Sequence, residues 1–254
     1  MELFGRGFNM ADYIFGRNAV LESLNSDKAP EKIYILKAEL KGSINKIIAK
    51  AKEKGVIISH IDKKKLDEMA NGLSHQGVCA LVNNFNYSSV EEILNFAKEK
   101  NEDVFLVILD RIEDPHNFGA IIRSCECAGV HGIIVSKRKS SPITEVVQKA
   151  SAGSINHMKI AKVSNISDTI LKLKKENVWI FGSSLEAKEN YTKMDFKGNI
   201  AIVIGNEGFG ISDLVKKRCD FLTKIPIKGK TQSLNASNAC AILIYEALRK
   251  RNEI

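Results

Sequence analysis

From residue 104 onward the chain repeats one pattern: a short Val/Ile/Leu run, a break at Gly, Asp or Ser, then a segment with helically spaced apolar residues. Such near-continuous runs read as strands buried on both faces, the condition of a parallel sheet covered by helices on each side. The pattern predicts strands at Val104 to Leu109, Gly132 to Ser136, Val178 to Gly182, Ile200 to Ile204 and Phe221 to Ile225. Helices are predicted near 118–129, 142–151, 166–176 and 211–218, with a last one over 237–251. A doubly covered α/β domain over 102–254 is the simplest fold consistent with this alternation.

Residues 11–83 carry a smaller version of the same logic. Tyr13-Ile14-Phe15-Gly16 leads into a helix marked by Val20, Leu21 and Leu24. A strand over Lys32 to Leu36, a Lys-rich helix around Ile44, Ile47 and Ile48, and a strand over Val56 to Ile61 follow. Gly55 stands where a helix commonly ends. A short helix from Lys63 to Met69 and a strand from Val78 to Val82 complete a small α/β layer unit. Residues 1–10 read as a disordered leader, and 84–101 as a linker plus a helix leading into the second unit.

Bulk properties bound the function. The 254 residues suffice for one large or two modest domains, and 44% hydrophobic with 27% charged residues is ordinary for a globular protein. No apolar run reaches the ~18–20 residues of a membrane span, and no signal-peptide core is visible. Five cysteines without framework spacing point to a reduced, cytoplasmic setting. The net charge of +8 is uneven. Before residue 101 there are 15 Lys and Arg against 13 Asp and Glu; after it, 23 against 17. A basic excess attracts polyanions, of which nucleic acid is the commonest, although charge alone leaves the matter even.

Ligands of open parallel sheets sit at the carboxyl ends of the strands. Three segments at such ends carry polar chemistry. The first is Asp110-Arg111-Ile112-Glu113-Asp114-Pro115-His116-Asn117, continuing to Arg123; Asn117 reads as a helix cap, with Arg123 facing the same ligand from six residues on. The second, Gly205-Asn206-Glu207-Gly208-Phe209-Gly210, holds one carboxylate among three glycines, which allow a sharp turn and close backbone approach. The third runs from Ile225-Pro226-Ile227 to Ser233-Leu234-Asn235-Ala236-Ser237 and ends in helix-capping residues.

Several look-alikes fail. Gly229-Lys230-Thr231 resembles the end of a phosphate-binding loop, but Lys224 stands where that motif needs glycine. The Gly205 segment has neither the spacing nor the first-strand position of a dinucleotide fingerprint. Cys125, Cys127, His131 and His116 do not make a convincing zinc set. Two cysteines two residues apart on a helix point about 200° apart, and no second pair completes the site. No metal is expected.

Taken together and in order, the three segments resemble the signature motifs of the SpoU/TrmH branch of the SPOUT RNA methyltransferases. The match runs Asn117-x-x-Ala120-x-x-Arg123, then Gly205-Asn206-Glu207-Gly208-x-Gly210, then Ile225-Pro226-Ile227 through Ser233-Leu234-Asn235-Ala236-Ser237. The first unit resembles the L7Ae-like RNA-binding domain that precedes the catalytic domain in one subgroup, with Phe15-Gly16-Arg17-Asn18-Ala19-Val20 and His75-Gln76-Gly77 as landmarks.

The resemblance implies a parallel α/β SPOUT domain with a C-terminal trefoil knot and a homodimer whose active sites are completed across the interface. It implies S-adenosyl-methionine as methyl donor, held largely by backbone at Gly205, Ile225 and Leu234, with Ser183 and Ser184 alongside. It implies RNA as substrate, with a guanosine ribose of 23S rRNA as the type case. Arg123 is implied at the 2'-hydroxyl, as a base or as an orienting cation. Because arginine stays protonated, the second role is the one expected. Asn117 would position Arg123 and the nucleotide, Glu207 would fix Arg123 or the ribose, and Ser233 and Asn235 would bind the nucleotide or brace the knot. Two rivals remain at this stage: the same chemistry on tRNA, and a non-catalytic RNA-binding protein of this fold.

Overall fold

The computed structural model describes residues 12–26, 29–37, 42–70, 72–82 and 85–251. The leader expected at 1–10 lies outside the described residues. The chain forms two compact units, divided after Phe85, with Pro142–Glu145 grouped with the first.

The first unit has the order β1 (Asp12–Phe15), α1 (Arg17–Asn25), β2 (Lys32–Leu36), α2 (Ser43–Glu53), β3 (Ile57–Ile61), α3 (Lys63–Ala70) and β4 (Val78–Val82). The described strands form a mixed sheet in the order β1-β4-β2-β3, with β2 and β3 parallel and β4 antiparallel to both its neighbours. Alternation in β2 sends Ile33 and Ile35 into the core with α1 and α2, where Val20, Leu24, Ile44 and Ile47 are fully buried. Tyr34 belongs to the other face, with Leu66 of α3 and Cys79. The two sequence landmarks meet here. Gly16 N–H donates to Val78 O at 3.2 Å. Arg17 N–H donates to Gln76 Oε1, and its Nε to Gln76 O, each at 3.0 Å.

The helix expected to lead into the second unit is α4 (Val90–Glu99), which buries Ile93, Leu94 and Ala97 in the core of that unit. Its packing onto the strand at Gly132 is so close that a Cβ there would lie 2.6 Å from the Ile93 side chain. Ser89 caps the helix with a reciprocal Glu92 contact, a capping box that the polar look of Ser88-Ser89 conceals.

The remaining elements are β5 (Phe105–Asp110), α5 (Pro115–Cys127), β6 (Gly132–Ser136), α6 (Glu145–Ser151), β7 (Ile160–Val163), α7 (Ile166–Lys175), β8 (Trp179–Ser183), β9 (Glu189–Asn190), β10 (Ile200–Gly205), α8 (Asp213–Arg218), β11 (Phe221–Lys224) and α9 (Ala236–Lys250). They build a wholly parallel sheet in the order β7-β6-β5-β10-β8-β11-β9. All six residues of β5 and the first five of β10 are buried, as central strands covered on both faces require. Leu106 and Ile108 face α4, α7 and α8, while α5 and α9 pack on each other and α9 on β10. The order is interleaved: β10 enters between β5 and β8, and β11 between β8 and β9.

Candidate active site

Strand register creates the site. Gly205, the last residue of β10, pairs with Asp110, the last residue of β5. Thr223 of β11 pairs with Ser183 of β8, and Ser184 N–H donates to Thr223 O at 2.9 Å. Parallel strands ending in register release their following loops side by side. The loops after β8, β10 and β11 therefore surround one cleft of about 900 Å³, open mouth included. Ser183, Ser184, Gly205, Ile225 and Leu234, the five positions expected to hold a cofactor, all line it.

The Gly205–Gly210 turn is built by its own backbone. Asn206 and Gly210 exchange N–H···O bonds of 3.2 and 2.7 Å, and Asn206 Oδ1 accepts from Gly208 N–H at 2.9 Å. A Cβ on Gly205 would overlap backbone atoms of Gly210 and Ile211, so only glycine lets the turn close this tightly. Two supports escape the sequence reading. Asn206 donates through Nδ2 to Arg111 O at 3.2 Å, and Arg111 Nη2 donates to Gly210 O at 3.2 Å. Asp110 Oδ2 accepts from Ser212 N–H at 2.6 Å. A buried carboxylate and an arginine at a strand end are the only sequence signals these supports leave.

At the rim, three side chains from three elements form a relay. Asn235 Nδ2 donates to Asn117 Oδ1 at 2.7 Å, and Asn117 Nδ2 donates to Glu207 Oε1. Asn235 is the N-cap of α9: its Oδ1 accepts from Ser237 N–H at 2.9 Å, Ser237 Oγ at 2.6 Å and Asn238 N–H at 3.4 Å. Those three donors leave only the amino end of Asn235 for Asn117, which fixes both amides in turn. Ser233 and Glu207 also line the cleft.

Two expectations about α5 are corrected. Asn117 is not its cap. Asp114 is, accepting Asn117 N–H at 2.7 Å, with Pro115 opening the first turn. Moving the cap back places Asn117 inside the helix, where its side chain is free to turn toward the loops. Arg123 does not join the cleft. Six residues along a helix amount to about 9 Å of rise and a net ~120° of rotation. Arg123 is exposed, lies outside the cleft lining, and makes no side-chain hydrogen bond or ion pair among the described residues. Nine of the ten expected site residues therefore gather, and Arg123 stands apart.

The lining suits an amphipathic ligand with a flat heteroaromatic part. Ile204, Ile225, Ile227 and Leu234 provide apolar walls, the glycine turn exposes backbone, and the Ser183-Ser184 hydroxyls add small polar groups. Lys216 and Glu186 line it as well, joined by an ion pair of 2.7 Å. The zinc look-alikes sit elsewhere and have other partners. His131 Nδ1 accepts from Phe105 N–H at 3.0 Å and Nε2 contacts Glu102 at 2.9 Å, while Cys125 is buried and Cys127 exposed on α5. Burial holds the His131 pKa below its ordinary value, against the opposing pull of Glu102.

Comparison with known proteins agrees with this geometry. Residues 104–245 match the SpoU rRNA Methylase family, and residues 13–88 match the RNA 2'-O ribose methyltransferase substrate-binding family. YacO of Bacillus subtilis, assigned to the TrmH family of tRNA/rRNA methyltransferases, is 43% identical over 243 residues, covering 96% of this chain and 97% of that one. Among solved structures, the SpoU methyltransferase AviRb of Streptomyces viridochromogenes, in complex with AdoMet, has a TM-score of 0.61 at 21% identity, covering 96% of this chain and 92% of that one. An AdoMet-bound rRNA methyltransferase of Sinorhizobium meliloti has a TM-score of 0.60 at 23% identity, covering 94% and 87%. With both units matched and the 43% identity running through nearly the whole length, the chain belongs to the SpoU/TrmH family of RNA methyltransferases.

Proposed function

We propose that the protein transfers a methyl group from S-adenosyl-methionine to a ribose 2'-hydroxyl of RNA, with a guanosine of 23S rRNA as target, and that it works as a cytoplasmic homodimer. The observation that carries this reading is the convergence of three loops on one cleft with the Asn235–Asn117–Glu207 relay at its rim. The cleft's apolar walls and glycine backbone fit the adenosine and methionine parts of the donor. When bound, S-adenosyl-methionine supplies a methyl carbon already activated by its sulfonium, so the chemistry asks for no metal and no covalent intermediate.

The protein's task is to place and activate the oxygen. A ribose hydroxyl is a weak nucleophile near neutrality, and near-attack positioning can lower such a barrier by ~7–11 kcal/mol. Asn117, locked between Asn235 and Glu207, is suited to hold the nucleotide in register with the cleft. Arg123 stabilises the oxyanion that develops as the hydroxyl passes its proton to solvent water while the methyl group leaves the sulfonium. Because Arg123 lies outside its own chain's cleft, it serves the site of a second copy across a two-fold interface. A symmetric dimer repeats that exchange at both sites.

The preference for rRNA rests on the substrate-binding unit at residues 13–88 and on the family to which 104–245 belong. Relatives such as YacO carry both tRNA and rRNA in their name, so the test must offer both. Purified protein and radiolabelled methyl donor are incubated with rRNA and with tRNA from cells lacking the gene, beside Arg123→Ala. 2'-O-methylguanosine formed on rRNA by wild type alone supports the proposal. Label in tRNA moves the substrate, and no label in either RNA or in ribosomal precursor particles, with binding intact, favours a non-catalytic RNA-binding role.

A further inference from the structure

A second cleft, about 600 Å³ with its open mouth, lies at the carboxyl ends of β5, β6 and β7. Its walls carry three cations, Arg111, Arg138 and Lys139, together with the Ser136 and Ser164 side chains. The one carboxylate among its lining residues, Asp110, is 5% exposed and already engaged by Ser212 N–H and, at 3.5 Å, by Arg111 Nε. Asp168, in the first turn of α7, lines the separate groove toward α4 instead. The cleft is thus strongly cationic.

Two of the cations are not otherwise employed. Among the described residues the side chains of Arg138 and Lys139 have no hydrogen-bond or ion-pair partner. Arg111 Nε is buried without a hydrogen bond. Two of the three sit on backbone that resists a side chain: Arg111 has φ +64° and Lys139 φ +55°. Such conformations are uncommon outside glycine, and they persist where a side chain is needed. Asn165, the N-cap of the ten-residue helix α7, also lines the cleft, so the first-turn N–H groups and the positive end of the helix dipole favour an anion there.

The position of the cleft identifies the anion. It opens on the same edge of the sheet as the methyl-transfer cleft, and Arg111 is common to both structures: its Nη2 holds Gly210 O and its carbonyl accepts from Asn206. An RNA strand at the rim of the first cleft would lie on the same edge of the sheet as the second. Leu214, 53% exposed on the cleft wall, offers an apolar surface for an adjoining sugar or base. We propose that this cleft binds a backbone phosphodiester of the RNA being methylated and so sets the position of the strand relative to the methyl donor. The inference rests on the RNA methyltransferase reading above.

The test measures the salt dependence of affinity for labelled 23S rRNA, and separately tRNA, for wild type and for Arg138→Ala/Lys139→Gly. Glycine at 139 relieves the backbone, so the thermal midpoint should stay level or rise. A lost phosphate contact should lower the slope of log K against log salt by about 1 per cation, so by roughly 1–2. Lys172→Ala/Lys175→Ala, which removes the same charge elsewhere on the second unit, should change it less. If the double variant does not fold, Arg138→Gln reads the same slope.

An unchanged slope overturns the proposal, as does an equal loss in the Lys172/Lys175 control. A variant that loses only its thermal stabilisation by inorganic phosphate, with RNA affinity intact, also overturns it and marks a free-anion site. Wild type that binds neither RNA defeats the RNA reading itself. Wild-type binding with an unaffected variant defeats the cleft alone.

Discussion

Asn235 donates its Nδ2–H to Asn117 Oδ1 at 2.7 Å across 118 residues of sequence. The bond ties the start of α9 to the first turn of α5 and turns the Asn117 amino group toward Glu207. One residue therefore serves two ends: Asn235 Oδ1 caps a helix while its Nδ2 orients a site. That dual duty separates the expected effects of two otherwise similar substitutions.

Asn117→Ala should reduce methyl transfer on the order of a hundredfold, the scale of a lost positioning donor, with little change in thermal midpoint. Asn235→Ala should lose comparable activity and also about 1 kcal/mol of stability through the missing cap. Parallel rate assays and thermal melts check both. Equal stability losses would place the two residues in the same structural role.

Arg123 tests the dimer. Arg123→Ala and Glu207→Ala are each expected to be inactive alone. If Arg123 acts across a two-fold interface, random mixing gives half mixed dimers with one intact site each, so up to about a quarter of wild-type activity returns. Activity that never returns on mixing would confine Arg123 to its own chain.

Gly205→Ala forces a methyl group into the backbone of Gly210 and Ile211. Overpacking of this kind costs roughly 1–3 kcal/mol when the surroundings shift to accept it. Calorimetric titration should show loss of S-adenosyl-methionine binding with the second unit still folded. Unchanged affinity would mean that the turn reshapes without consequence.

His131 gives a pH signature. Its folded pKa lies below the ordinary value of 6.5 because burial disfavours the charged ring. Below that ordinary value the unfolded chain binds the proton more readily, so the stability of the folded state falls as pH drops toward the folded pKa. Urea unfolding between pH 7.5 and 5 should show wild type losing stability relative to His131→Gln, whose side chain keeps a donor and an acceptor but does not titrate. Parallel pH curves for the two proteins would remove His131 as the cause.

The near-continuous apolar runs made the central strands legible, because β5, β6 and β10 are buried on both faces and need Val, Ile and Leu almost throughout. β7 and β9 escaped, being four and two residues long with Lys162 or polar residues in place of a clean run. Helix α4 was legible as the helix leading into the second unit, but not its docking, because the residues that anchor it, Ile93, Leu94 and Ala97, are few. The site residues were legible as ordered motifs. The six-residue spacing already places Arg123 on a different face of α5 from Asn117, whereas the true cap, Asp114, was missed. Asn206 and Arg111 were missed because their contacts join loops 95 or more residues apart.

The place of β10 between β5 and β8 also has a kinetic meaning. Its register partners on β5 were synthesised some 95 residues earlier, so this pairing closes a long loop before any contact rewards it. A nascent chain holding β5 to β8 has the apolar layers of a sheet but neither the glycine turn nor Asn235. The methyl-donor cleft comes into being only when the last strands slot into the middle of the sheet, so partly folded protein has no means of marking RNA.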